Sequence, residues 1–121
     1  MTKTVLTVDD SRTMRDMLRL ALSEAGFEVV QAEDGMYGLE ALAGCKPDVI
    51  VTDINMPRMD GFQFIAEVRS TEEHRAVPIL VLSTESDQEK KLRARNAGAT
   101  GWIVKPFDPV KLVDAVRRVA A

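Results

Sequence analysis

A chain of 121 residues, 45% apolar and 29% charged, is long enough to bury one core, and its single cysteine, Cys45, can form no internal disulfide. Its 16 basic and 19 acidic residues leave a net charge of −3, which excludes nucleic-acid binding driven by bulk charge. No segment approaches the roughly 18 uninterrupted apolar residues that span a bilayer, the start does not read as a signal peptide, and the lone cysteine fits a reducing cytoplasm.

In chain order, Val5 to Val8 reads as a short buried strand. Ser11 or Asp10 caps a helix whose apolar positions, Met14, Met17, Leu18, Ala21, Leu22 and Ala25, keep helical spacing until Gly26 stops it. Phe27 to Ala32 is a second strand, and Asp34 caps a weaker helix from Gly35 to Ala43, weakened by Gly35 and Gly38. Pro47 precedes a third strand, Val49 to Thr52, and Asp60 caps a helix with Phe62, Phe64, Ile65 and Val68 on its apolar face. Pro78 to Leu82 is the fourth strand, and Ser86 or Asp87 starts a fourth helix, charged nearly all round, that ends at Gly98. Gly101 to Val104 is the fifth strand, and Asp108 with Pro109 opens the last helix.

Five apolar strands alternating with five helices predict an α/β fold, a doubly wound parallel sheet covered on both faces. Ligands of such sheets bind at the carboxyl ends of the strands. Asp9 and Asp10 follow the first strand, Asp53 the third, Ser83 the fourth and Lys105 the fifth, so all five side chains converge on one edge. Three clustered carboxylates repel one another and call for a hard divalent cation such as Mg2+. With Lys105 added, the formal charges cancel, and a phosphoryl group on Asp53 would give the cation, Lys105 and the Ser83 hydroxyl an acceptor to hold. Taken singly, each residue has a plainer reading: Asp10 as an N-cap, Ser83 as a strand-end hydroxyl, Lys105 as a solvated cation and Asp53 as the start of an Asx turn.

The segments Val8-Asp9-Asp10-Ser11, Asp53-Ile54-Asn55-Met56-Pro57-Arg58-Met59-Asp60-Gly61, Leu82-Ser83 and Lys105-Pro106-Phe107 resemble the motifs of the receiver domain of two-component response regulators, most of all its single-domain, CheY-like chemotaxis members. The resemblance covers essentially the whole chain and implies a flavodoxin-like sheet of order 2-1-3-4-5. It implies one receiver domain over residues 1–121 with no effector domain, acting as a monomer in the cytoplasm, and touching neither nucleic acid nor membrane. Asp53 would be the phosphoacceptor for a sensor histidine kinase. Asp10, Asp53 and the main-chain carbonyl of Asn55 would bind Mg2+, with Asp9 helping through water. Lys105, joined to Pro106 by a cis bond, would contact the phosphoryl oxygens. Ser83 would be the switch hydroxyl and Trp102 the switch aromatic. Such a protein assists its own phosphorylation and dephosphorylation and is not an enzyme in the ordinary sense.

The resemblance departs at two positions, since chemotaxis members usually carry threonine and tyrosine where this chain has Ser83 and Trp102. Asn55 and Glu85 match members with short-lived aspartyl phosphates, which implies a lifetime of seconds to minutes. The fourth helix, fifth strand and last helix, with Trp102, Phe107, Lys111, Arg117 and Arg118, would offer a partner face, for which the flagellar motor switch protein is the expected partner. A phosphate sink for the chemotaxis kinase and a regulator outside chemotaxis share every one of these site residues.

Other functions fit less well. A haloacid-dehalogenase-like phosphatase wants a second acid two residues after its nucleophile, where this chain has Asn55. A flavodoxin-like redox carrier would set Asp9 and Asp10 against a flavin phosphate. A histidine phosphocarrier would need a better-placed histidine than His74, which reads as an exposed loop residue.

Overall fold

The computed structural model describes residues 2–121. Its strands are β1 (Thr4–Val8), β2 (Glu28–Ala32), β3 (Val49–Thr52), β4 (Ile79–Ser83) and β5 (Gly101–Val104). Its helices are α1 (Arg12–Glu24), α2 (Gly35–Gly44), α3 (Gly61–Ser70), α4 (Gln88–Ala97) and α5 (Pro109–Ala120). All neighbouring strands pair parallel in the order β2-β1-β3-β4-β5, the flavodoxin-like arrangement. No helix among the described residues is long and apolar enough to cross a membrane.

The helix starts follow their caps. Ser11, and not Asp10, caps α1 by accepting a hydrogen bond from the Met14 amide, which leaves the Asp10 carboxylate at the surface. Asp34 caps α2, Asp60 and Gln63 form a reciprocal capping box at α3, and Asp87 and Asp108 cap α4 and α5. Strand residues alternate between two cores. Leu6, Val8, Ile50, Ile79 and Val81 face α2 and α3. Val5, Val49, Val51, Leu80 and Leu82 face α1 and α5. α4 is the least committed element, with only Ala94 buried and Leu92 58% exposed. Its carboxyl end is held by Arg69 of α3, whose Nε and Nη2 both donate to the Gly98 carbonyl at 3.0 and 2.8 Å.

Three expectations are corrected. His74 is buried, because a short 3-10 turn over Glu72–His74 folds it beneath α2, where Nε2 lies 3.3 Å from the Leu42 carbonyl. Phe107 is buried in the α1/α5 core and is not part of an exposed partner face. Met17, expected on the apolar side of α1, is 46% exposed, since Leu18 and Leu22 define the buried stripe.

The glycine in mid-α2 has a packing reason. A Cβ on Gly38 would lie 2.7 Å from Phe64 Cε1, so α2 closes on α3 only because no side chain intervenes. Gly38→Ala should therefore destabilise the fold by about 1–3 kcal/mol through overpacking, overriding the roughly 1 kcal/mol that alanine gains in helix propensity. Urea unfolding checks this, and a variant more stable than the parent would refute the packing account.

Candidate functional site

Parallel pairing sets the strand ends side by side. Val8 is in register with Thr52, and the Asp53 amide donates to the Val8 carbonyl at 2.9 Å, so Asp9 and Asp53 emerge next to each other. Ser83 is in register with Val104, and the Lys105 amide donates to the Ser83 carbonyl at 2.8 Å. Lys105 then reaches past the end of β4. Its Nζ donates to Asp9 Oδ2 at 2.9 Å and to Asp53 Oδ2 at 3.0 Å.

The other oxygens are held by main chain. Asp9 Oδ1 accepts from the Ser11 amide at 2.9 Å, and Asp53 Oδ1 accepts from the Ile54 amide at 2.7 Å. Arg15 of α1 donates from Nη1 to the Asp9 carbonyl at 2.6 Å, fixing the peptide from which Asp10 projects. One carboxylate oxygen each of Asp9, Asp10 and Asp53 lies within 4.8 Å of the others.

Exposure is graded across the three acids: Asp9 is 1% exposed and Asp53 8%, while Asp10 stands in solvent. Burial pushes the Asp9 carboxyl above its ordinary range, against the hydrogen bonds from Ser11 and Lys105 that pull it down. Burial alone would lower the Lys105 ammonium, but its bonds to Asp9 and Asp53 raise it on balance. One lysine offsets one carboxylate of the three. The remaining negative charge, offered by hard oxygen donors around one point, fits Mg2+.

Ser83 is fully buried at the end of β4, and its hydroxyl oxygen accepts from the Glu85 amide at 3.2 Å. Trp102 is half-buried in β5 and stands apart from the acids; its indole Nε1 donates to the Glu85 carbonyl at 2.8 Å. Glu85 in turn pairs with Lys90 of α4 at 3.0 Å. Asn55 lies two residues beyond Asp53, on an exposed stretch of the β3–α3 loop. The Lys105–Pro106 bond is cis, as expected.

Two supports of the site have no clear signature in the sequence. A Cβ on Gly61 would lie 2.3 Å from the Asp53 carbonyl oxygen, so the β3–α3 loop closes beneath Asp53 only with glycine there. The Asp-Gly pair that signals a helix start was the available hint. Arg58 takes a positive φ of 66° and pairs with Asp34, with Nε to Oδ2 at 2.9 Å and Nη2 to Oδ1 at 3.1 Å. No local pattern announces a contact between residues so far apart in sequence.

The response regulator receiver domain family matches residues 5–117. Chemotaxis protein CheY1 of Helicobacter pylori is 38% identical over 117 residues, covering 95% of this chain and 94% of the relative. The structure of chemotaxis protein CheY4 of Vibrio cholerae superposes with a TM-score of 0.95 at 44% identity, covering 98% of this chain and 99% of that one. The receiver domain of a sensor histidine kinase of Pseudomonas aeruginosa, with a magnesium ion coordinated in its active-site cleft, superposes at 0.91 with 25% identity, covering 99% and 98%. The chain spans 48% of the length of a mycobacterial response regulator, MprA, that it matches at 37% identity.

The Asp34 pair predicts a pH dependence. Burial pushes the Asp34 carboxyl up, but the Tyr37 amide and the Arg58 guanidinium outweigh it and hold the group below its ordinary 3.8. A lowered acid contributes stability that is present above its unfolded value and is lost as pH falls through the folded one. Asp34→Asn keeps a capping oxygen and removes the charge. The variant should have a lower urea midpoint at pH 7, and the gap should close as pH falls below 3.8. A gap that stays constant down to pH ~2 would contradict the charge account.

Proposed function

This chain belongs to the response regulator receiver domain family, and from that membership we propose that it is a CheY-like phosphoswitch in which Asp53 takes a phosphoryl group from the phosphohistidine of a sensor kinase. The observation that carries this reading is the setting of Asp53: bound by Lys105 on one oxygen and grouped with Asp9 and Asp10 within 4.8 Å.

In the proposed transfer, an Asp53 oxygen forms the new bond to phosphorus while the phosphorus–nitrogen bond of the kinase breaks and the imidazole leaves. The Ile54 amide and the Lys105 ammonium hold the carboxylate in one orientation before the kinase arrives, so little reordering is required. Lys105 then follows the transferred oxygens, with Asp9 keeping it at the strand ends. Mg2+ would be held by Asp10, Asp53 and the Asn55 main-chain carbonyl, with Asp9 engaging through water. When bound, it supplies positive charge to the transferring oxygens.

The output would run through Ser83. To donate to a phosphoryl oxygen on Asp53, its hydroxyl must move toward β3, which disturbs the bond from the Glu85 amide. The Glu85 carbonyl carries the Trp102 indole, and its carboxylate carries Lys90. One residue therefore links the buried hydroxyl to both α4 and β5. The exposed face over α4, β5 and α5 would then change affinity for a partner in chemotaxis, the flagellar motor switch protein, within the cytoplasm. The names of the chemotaxis relatives support the chemotaxis part of that reading.

Phosphotransfer from a chemotaxis-type sensor kinase should label the protein and be abolished in Asp53→Asn, which removes the nucleophilic carboxylate. Beryllofluoride with Mg2+ should change Trp102 fluorescence in the parent and leave the variant unchanged. Undiminished labelling of Asp53→Asn would overturn the assignment of the acceptor.

A further inference from the structure

Arg58 occupies a conformation that disfavours it. Among the described residues it is the one non-glycine with a positive φ, at 66°, and the left-handed region is strained for a residue with a Cβ. Glycine would adopt the same turn without that strain. Something particular to the guanidinium must therefore hold it there.

The contacts supply it. The Arg58 fork grips the Asp34 carboxylate through Nε and Nη2, and the guanidinium carbon lies 4.9 Å from the centroid of the Tyr37 ring. Asp34 is 4% exposed and is already fixed as the N-cap of α2 through the Tyr37 amide. The next residues meet as well: a Cβ on Gly35 would lie 2.8 Å from Met59 Cγ, so the first turn of α2 bears directly on the β3–α3 loop. Downstream, the Gly61 amide donates to the Ile54 carbonyl at 2.8 Å. The loop is thus pinned at its base by Ile54 and Gly61, and at its far side by Arg58 and Met59. Residues 55–57 are the span between those pins.

We propose that Arg58 is a positioning residue for the metal site: by clamping the β3–α3 loop to Asp34 of α2, it holds the span that carries the Asn55 main-chain oxygen, the ligand proposed to join Asp10 and Asp53. This rests on the reading of Asn55 given above. Without the clamp the loop samples other arrangements, and the apparent affinity for the ion falls by the fraction of time in which the competent one is populated.

Calorimetric titration of Mg2+ into the unphosphorylated full chain tests this, alongside thermal unfolding of the same samples. Arg58→Gly relieves the backbone strain while removing the clamp, so it should stay folded yet bind Mg2+ about tenfold more weakly, the lower end for outer-shell partners of a metal. Arg58→Lys keeps a charge without the fork and should fall between it and the parent. Asp34→Asn should resemble Arg58→Gly, and the double variant should bind no more weakly than either single one, because both remove one interaction. Mg2+ affinities of Arg58→Gly and Asp34→Asn within about twofold of the parent would overturn the proposal, whatever their melting temperatures. A parent chain that binds no Mg2+ would instead sink the metal reading of the three acids, and this proposal with it.

Discussion

One ammonium group organises the working edge of this sheet. Lys105 Nζ sits between Asp9 and Asp53 at 2.9 and 3.0 Å, joining the residues that follow β1, β3 and β5. Bringing carboxylates together and drying them is unfavourable, and a buried pair persists only with good geometry and saturated oxygens. Both conditions hold: each of the two acids spends its second oxygen on a main-chain amide. The order β2-β1-β3-β4-β5 puts β4 between Lys105 and its partners. That strand ends in Ser83, small enough for a lysine to pass over. The residue argued to sense phosphorylation also leaves room for the cation that stabilises the site.

The same edge is tied outward by single bonds and not by extensive packing. Ser83 reaches Glu85 through one hydrogen bond, and Glu85 reaches Trp102 and Lys90 through one contact each. α4 buries only Ala94, so little apolar area opposes its displacement. A rigid acidic centre beside a weakly committed helix is the combination a switch requires, since the centre keeps its geometry while the helix changes place.

Much of this was legible from sequence because local chemistry and tertiary need agree. β3 and β5 fall on the residues their apolar runs delimit, and Asp34, Asp60, Asp87 and Asp108 cap the helices they precede. Strand-end placement alone put Asp9, Asp10, Asp53, Ser83 and Lys105 on one edge, with no distance known. What escaped depended on partners remote in sequence. His74 looks polar and loop-borne until a short turn tucks it beneath α2, and Phe107 looks exposed until α5 closes over it. Gly35 and Gly38 read as weaknesses in α2, whereas they permit its contact with Met59 and Phe64. Arg58 shows the limit most plainly, because its backbone strain is offset by contacts to Asp34 and Tyr37, which lie in a different part of the chain.

The fork of Arg69 on the Gly98 carbonyl gives α4 the mechanics of a cantilever. With its carboxyl end fastened to α3, the helix is not free to slide along the sheet. Its ten residues extend about 15 Å from that fixture, so a tilt of about 10° sweeps the free end through roughly 2.5 Å while the fastened end stays almost still. The free end is the one that receives Glu85 and Lys90. A pull arriving through Ser83 and Glu85, as the proposed switch requires, would be delivered where the arm is longest.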